Sequence, residues 1–309
     1  MKEKILFLFF LVGFQVEGKL NVLTTTKNIH SLTKSIAGDR IHLESILKGP
    51  QDPHYIAPKP SYMIKARDAD LIILAGMELE IGWLPNIIQG ARNPRIHQGQ
   101  SGYLDASQFI QALSVPKGKV DRFFGDIHPF GNPHYLLDPL QAIKVSKGIS
   151  QKLSELDPKN KDYYVKNQKQ FETKIQQKVK EWKGRIQNFG VRKIVTYHSS
   201  FEYFLDRFQL NFVGMIEEKS GIPPSAKHIL NLIAKMKSSQ TSCILVSSFY
   251  SNKWAEKIKR TVSVHVETVA IEVKALKEVV DYVSLIEGLV QAIERCGRFT
   301  KNLKGEGKS

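Results

Sequence analysis

The strongest constraint on this chain is a rhythm. Short apolar strands alternate with amphipathic helices, and the pattern runs twice, once on each side of a long charged helix. In the first round KLNVLTTT (19–26), IHLESIL (41–47) and DLIILAG (70–76) read as strands. NIHSLTKSIA (28–37) has helical spacing at Ile29, Leu32 and Ile36 and is stopped by Gly38, and Ser61 caps a second helix through Ala66. A fully apolar strand such as DLIILAG suits a parallel sheet covered on both faces. The second round takes KIVTYH (193–198), FVGMI (212–216), CILVSS (243–248) and VSVHVE (262–267) as strands. Its helices are FEYFLDRF, HILNLIAKMK (228–237), WAEKIKRT and DYVSLIEGLVQAI (281–293). Alternation of this kind argues for the α/β class with parallel sheets, once per lobe.

Between the rounds, Pro139–Leu156 is helical, Asp157-Pro158 breaks it, and a longer helix is expected from about Lys159 to Gln187. Its apolar residues, Tyr164, Phe171, Ile175, Val179, Trp182 and Ile186, form one stripe on a charged helix roughly 40 Å long. Such a helix is either an ordinary surface helix or a strut lying against two lobes. The chain of 309 residues has room for two lobes of roughly 100–150 residues each. The expected division is a leader over 1–18, a first α/β lobe over 19–157, a connecting helix over 158–189, a second α/β lobe over 190–297, and a disordered basic tail over 298–309.

The leader reading rests on Lys2 and Lys4 followed by the apolar run ILFLFFLVGF (5–14). Val16 and Gly18 stand before a cut ahead of Lys19. This is the layout of a secretory signal peptide, too short to span a bilayer as a helix. No cysteine follows the run, so the expectation is a soluble, periplasmic or otherwise extracytoplasmic protein without a lipid anchor. The only cysteines are Cys243 and Cys296, and whether they approach within bridging distance is not legible from sequence. The net charge of +15 raises a nucleic-acid reading. The basic residues are spread along the chain with no accompanying nucleic-acid motif, so a solvated basic surface is expected instead.

Three of the nine histidines stand in similar places. His54 follows the strand IHLESIL, His134 lies in GDIHPFGNPHYLLDP, and His198 ends the strand KIVTYH. Ligands of open α/β sheets bind beyond the carboxyl ends of strands, so His54 and His198 can face one cleft from different lobes. Three imidazoles and a carboxylate complete a tetrahedral shell for a zinc-like cation. Taken singly, each of these histidines reads as structural before it reads as a ligand; only the three together at turns set the metal reading level with the structural one. His30, His42, His97, His228 and His265 lack such contexts and are read as structural, whereas His128, with Asp126, is near enough to His134 to orient it. Asp138 is read first as a helix-start carboxylate.

At these motifs the chain resembles the periplasmic zinc and manganese solute-binding proteins of ABC transporters, the cluster A-I or zinc-uptake group. The likeness is carried by GPQDPHYIAPKPSYMIKARDADLIILAGMELE (49–80), GDIHPFGNPHYLLDP (125–139) and YHSSFEYFLDRFQLNFVGMIEEKSGIPPSAKHI (197–229), and extends over nearly the whole mature chain. The resemblance implies two lobes joined by a rigid helix, a metal held in the cleft between them, and His54, His134 and His198 as its ligands. It implies Glu267 as the fourth, where many relatives place an Asp after a late strand; Glu202, Glu272 or a water are the rivals. It also implies zinc as transported ligand with manganese possible, a bridged Cys243–Cys296 pair, and delivery to a membrane permease by a monomer. No catalytic residue is expected. The alternatives are a surface adhesin on the same scaffold, and a zinc hydrolase, for which no His-Glu-x-x-His or Gly-x-Ser-x-Gly is present.

Overall fold

The structure, a computed structural model, describes residues 18–118, 128–191, 193–219 and 221–306. The expected signal peptide lies outside the described residues except for Gly18.

The first lobe is a sheet of four parallel strands in the order β2-β1-β3-β4, formed by β1 (Asn21–Thr24), β2 (His42–Ser45), β3 (Leu71–Leu74) and β4 (Tyr103–Asp105). The second repeats that order as β6-β5-β7-β8, with β5 (Lys193–Thr196), β6 (Asn211–Met215), β7 (Cys243–Ser247) and β8 (His265–Val269). The two lobes share an architecture without a visible sequence repeat. The half-exposed edge strand β4 and the helix α3 (Leu84–Ala91) have no counterpart in the sequence reading.

Side-chain alternation sorts each central strand between two cores. From β1 and β3, Val22, Leu71 and Ile73 face inward, while Leu23, Ile72 and Leu74 face outward onto α2 (Pro60–Arg67) and α3. From β5 and β7, Ile194, Cys243 and Leu245 face inward, while Val195, Ile244 and Val246 face α7 (Ala226–Ser239) and α8 (Lys253–Lys259). Each fully buried aliphatic side chain contributes roughly 1.5–3 kcal/mol. The inner faces of the two sheets belong to one continuous apolar cluster. It runs from Ile29 and Leu32 of α1 (Lys27–Ala37) through Tyr135 and Phe171 to Ile286 and Leu289 of α9 (Tyr282–Glu306).

The long helix α5 (Lys161–Phe189) lies against this cluster, packing on α1 and α4 (Pro139–Leu156) of the first lobe and on α9 of the second. Tyr164, Phe171, Ile175, Trp182 and Ile186 of the expected stripe are buried, so the strut reading holds over the surface-helix reading. Gly190 ends it at φ +69°, the left-handed cap that a side chain disfavours. Trp182 Nε1 donates to Glu287 at 2.8 Å and Arg185 forks onto Glu294 at 2.7 and 3.1 Å, fastening α5 to α9.

Two long-range features differ from, or go beyond, the sequence reading. α9 runs on as helix through 298–306, where a disordered tail was expected. Thr300 donates to Ser242, and Arg298 and Lys301 lie over the ring of Phe189, so this segment has docking partners that residue composition does not reveal. Cys243 at the start of β7 and Cys296 of α9 are disulfide-bonded, with Cα atoms 5.5 Å apart.

Candidate metal centre

In each sheet the strand order reverses between the first and third strands of the lobe, and the crevice beyond the carboxyl ends at that point is where open α/β sheets bind ligands. The three selected histidines meet there. His54 sits in a turn after β2 that is pinned by Trp83, whose Nε1 donates to Pro53 O at 2.9 Å. Its backbone N–H and its Nδ1 both reach Asp52 Oδ1, at 3.0 and 2.7 Å. An ionised carboxylate only accepts, so Nδ1 carries the proton and the Nε2 lone pair is left open. That Nε2 is buried and has no hydrogen-bond partner.

His134 precedes a short 3-10 turn, Tyr135–Leu137, that leads into α4. Its backbone N–H donates to Asn132 Oδ1 at 2.9 Å, while Asn132 Nδ2 donates across the cleft to Ser199 O at 2.8 Å. Its Nε2 is also buried without a partner. Burial first, then the neighbouring His54, His198 and His128, hold the His134 pKa well below the usual histidine value. A neutral ring with an open lone pair is the form that binds a cation.

His198 follows β5 with an extended backbone, and its carbonyl accepts from Thr196 Oγ1 at 2.7 Å. Its Nδ1 lies 2.7 Å from Glu217 Oε2, and the same oxygen accepts from Gly221 N at 3.0 Å. Its side chain is only 2% exposed.

One nitrogen from each of His54, His134 and His198 lies within 4.8 Å of the other two. A tetrahedral zinc with bonds of about 2.0–2.1 Å separates its ligand atoms by about 3.3 Å, so a small contraction of the trio suffices. Ring centroids are 5.2 Å apart for His54–His134, 5.7 Å for His54–His198 and 5.9 Å for His134–His198. Asp52 and Glu217, which orient two of the rings, carry no assigned role in the sequence reading. Asp52 was within reach of it, two residues before His54; Glu217 becomes a neighbour of His198 only through the pairing of β5 with β6.

Among the described residues no carboxylate joins them. Glu267, expected as the fourth ligand, is held elsewhere: Arg295 Nε and Nη2 donate to its two oxygens at 2.7 and 2.6 Å, and His265 Nε2 lies 2.8 Å away. β8 begins at His265 and runs to Val269, so Glu267 is a mid-strand residue facing α9 instead of a residue beyond the strand end. Glu272 is buried, accepts from Asn28 N at 3.0 Å, and is pushed up to about 8 by that burial. Glu202 accepts from Ser114 Oγ at 2.6 Å. It opens α6 (Glu202–Arg207), and a 3-10 turn, Ser199–Phe201, separates it from His198, so the two do not share the helical face that their spacing suggests. Asp138 caps α4 through Leu140 N and pairs across the lobes with Arg207 Nε and Nη2, both at 2.7 Å. His228 and His265 are bonded to Met215 O and Glu267, in keeping with structural roles.

Comparison with known proteins identifies the family and the fold. The family described as zinc-uptake complex component A, periplasmic (ZnuA) matches residues 22–296. The manganese ABC transporter substrate-binding lipoprotein PsaA of Streptococcus mitis is 31% identical over 238 residues, covering 74% of this chain and 72% of the relative. The iron ABC transporter substrate-binding lipoprotein MtsA of Streptococcus pyogenes serotype M1 is 31% identical over 254 residues, covering 78% and 76%. The crystal structure of ZnuA shares the fold at a TM-score of 0.75 and 23% identity, covering 91% of this chain and all of that one. With two parallel sheets, a strut between them and a histidine cluster at their facing ends, the chain belongs to the ZnuA family, the substrate-binding proteins of metal ABC transporters.

Proposed function

We propose that the protein captures a divalent transition metal, zinc by preference, and delivers it to an ABC permease, with His54, His134 and His198 as ligands. The observation that carries this reading is the convergence of three imidazole nitrogens within 4.8 Å, two of the rings backed by carboxylates at Nδ1. An all-imidazole trio favours zinc, since manganese prefers oxygen donors and sits at the bottom of the affinity order. The metal is cargo: the site binds and releases it and performs no reaction on a substrate. The protein acts outside the cytoplasm as a monomer, after a cut ahead of Lys19, and has no nucleic-acid partner. Among the described residues no helix is long and apolar enough to cross a membrane.

The test is a chelator-competition titration of the metal-stripped protein with zinc and with manganese, beside His54→Ala and His198→Ala. One tight zinc equivalent, weakened at least about a hundredfold in both variants, supports the reading. No tight site, or one indifferent to both substitutions, overturns it in favour of attachment at a surface.

A further inference from the structure

Three ligands leave a zinc shell one short. Every carboxylate considered for the vacancy is engaged elsewhere: Glu267 by Arg295, Glu272 by the start of α1, and Glu202 by Ser114. A fourth imidazole is close by. The His128 ring centroid lies 5.3 Å from that of His54, as near as His134 at 5.2 Å and nearer than His198 at 5.7 Å.

The backbone makes this proximity a built feature. Gly131 N donates to His128 O at 3.2 Å and Asn132 N to Leu113 O at 2.9 Å, so residues 128–132 form a tight arch. Gly131 holds φ +107°, and a Cβ there would come within 2.7 Å of Leu113 O, so only glycine fits. Asn132 then fixes both His134 and Ser199. His128 and His134 are thus the two ends of one short braced segment that reaches across the cleft. The His128 ring stands beside the trio and outside the 4.8 Å set, so it would reach a metal held by the other three through a movement of its side chain.

We infer that His128 is the fourth metal ligand, giving a shell of four neutral imidazoles with no carboxylate. This rests on the capture reading above and extends it to specificity. Such a shell leaves the full dication charge to be balanced from one step out, where Asp52 and Glu217 stand behind His54 and His198. It disfavours hard, oxygen-seeking cations such as manganese relative to zinc.

The decisive measurement is zinc K-edge absorption on the purified zinc-loaded protein, with multiple scattering used to count imidazoles, alongside zinc and manganese affinities. Wild type is expected to show four imidazoles and His128→Ala three plus a light oxygen donor, with zinc affinity at least about tenfold weaker. His128→Asp, which supplies an oxygen ligand from the same arch, is expected to narrow the zinc-to-manganese ratio. Thermal melts of the metal-free variants check that each folds, and the wild-type count stands even if one does not. Three imidazoles in wild type, or His128→Ala with wild-type affinity and spectrum, overturns the assignment. His54→Ala separates the two levels: its loss of binding upholds capture even if His128 is discarded, whereas its indifference removes the capture reading as well.

Discussion

The backbone N–H of Asn28, in the first turn of α1, donates to Oε2 of Glu272 in the other lobe at 3.0 Å. The Asn28 side chain completes the clasp, its Nδ2 donating to Ile271 O at 2.8 Å and its Oδ1 accepting from Val273 N at 2.9 Å. One residue thus closes three hydrogen bonds across more than 240 residues of sequence.

Asn28→Ala removes the two side-chain bonds and leaves a buried carbonyl and a buried N–H without partners. Each orphaned group costs about 1–3 kcal/mol, so a loss of about 2–6 kcal/mol is expected. Urea unfolding of the metal-free protein, followed by far-UV circular dichroism, measures it.

Burial pushes Glu80 up to about 7 and Glu272 up to about 8, so both hold protons in the folded protein at pH values where the unfolded chain has released them. The folded state then binds more protons, and stability falls as pH rises toward the folded values. His30, lowered to about 4, and His134, also lowered by burial, act oppositely below about pH 6.5. The decline should therefore emerge between about pH 6.5 and 8, and Glu272→Gln should flatten its upper half. Chemical unfolding across that range, with and without the substitution, provides the check.

Asp52→Ala and Glu217→Ala leave every imidazole in place yet remove the acceptors that fix two of the rings. A 10–100-fold weaker zinc affinity is expected from each, with Glu217→Gln retaining more of it because an amide oxygen still accepts. Chelator competition at constant pH reads the difference.

The Cys243–Cys296 bridge closes a sequence separation of 53 residues at the amino end of β7, away from the strand ends that carry the histidines. Replacing both cysteines with alanine should cost about 2–4 kcal/mol of stability, the usual range for such a loop. Zinc affinity should change by less than about twofold. Unfolding curves and a zinc titration of the same double variant separate the two effects.

Much of the fold was legible because periodicity is local. Leu71–Leu74 and Cys243–Ser247 announce covered central strands, and the stripe from Tyr164 to Ile186 announces the strut. Tyr103–Asp105 did not, being three residues long and half-exposed at a sheet edge. His54 and His198 were legible as residues that follow strands, and His134 as part of a turn-rich segment, while the parallel sheets bring their carboxyl ends to one cleft. What the sequence hid were long-range pairings. Arg295 reaches Glu267 only because α9 folds back over β8, and Asn28 reaches Glu272 only once the lobes are docked. A carboxylate at a suitable sequence position was therefore a poor guide to where that carboxylate points.

The strut and the shared inner core bear on how the cargo is let go. Closing two lobes by a wide hinge would bend a 29-residue helix packed against both and shear an apolar cluster that belongs to neither lobe alone. Little of the metal's binding free energy can be diverted into shape change, so nearly all of it stays in the bonds to the ion. Such a receptor deforms little. Letting go must then be forced from outside, through protons reaching the imidazoles or a docked transporter prying at the rim, and not by the protein springing open by itself.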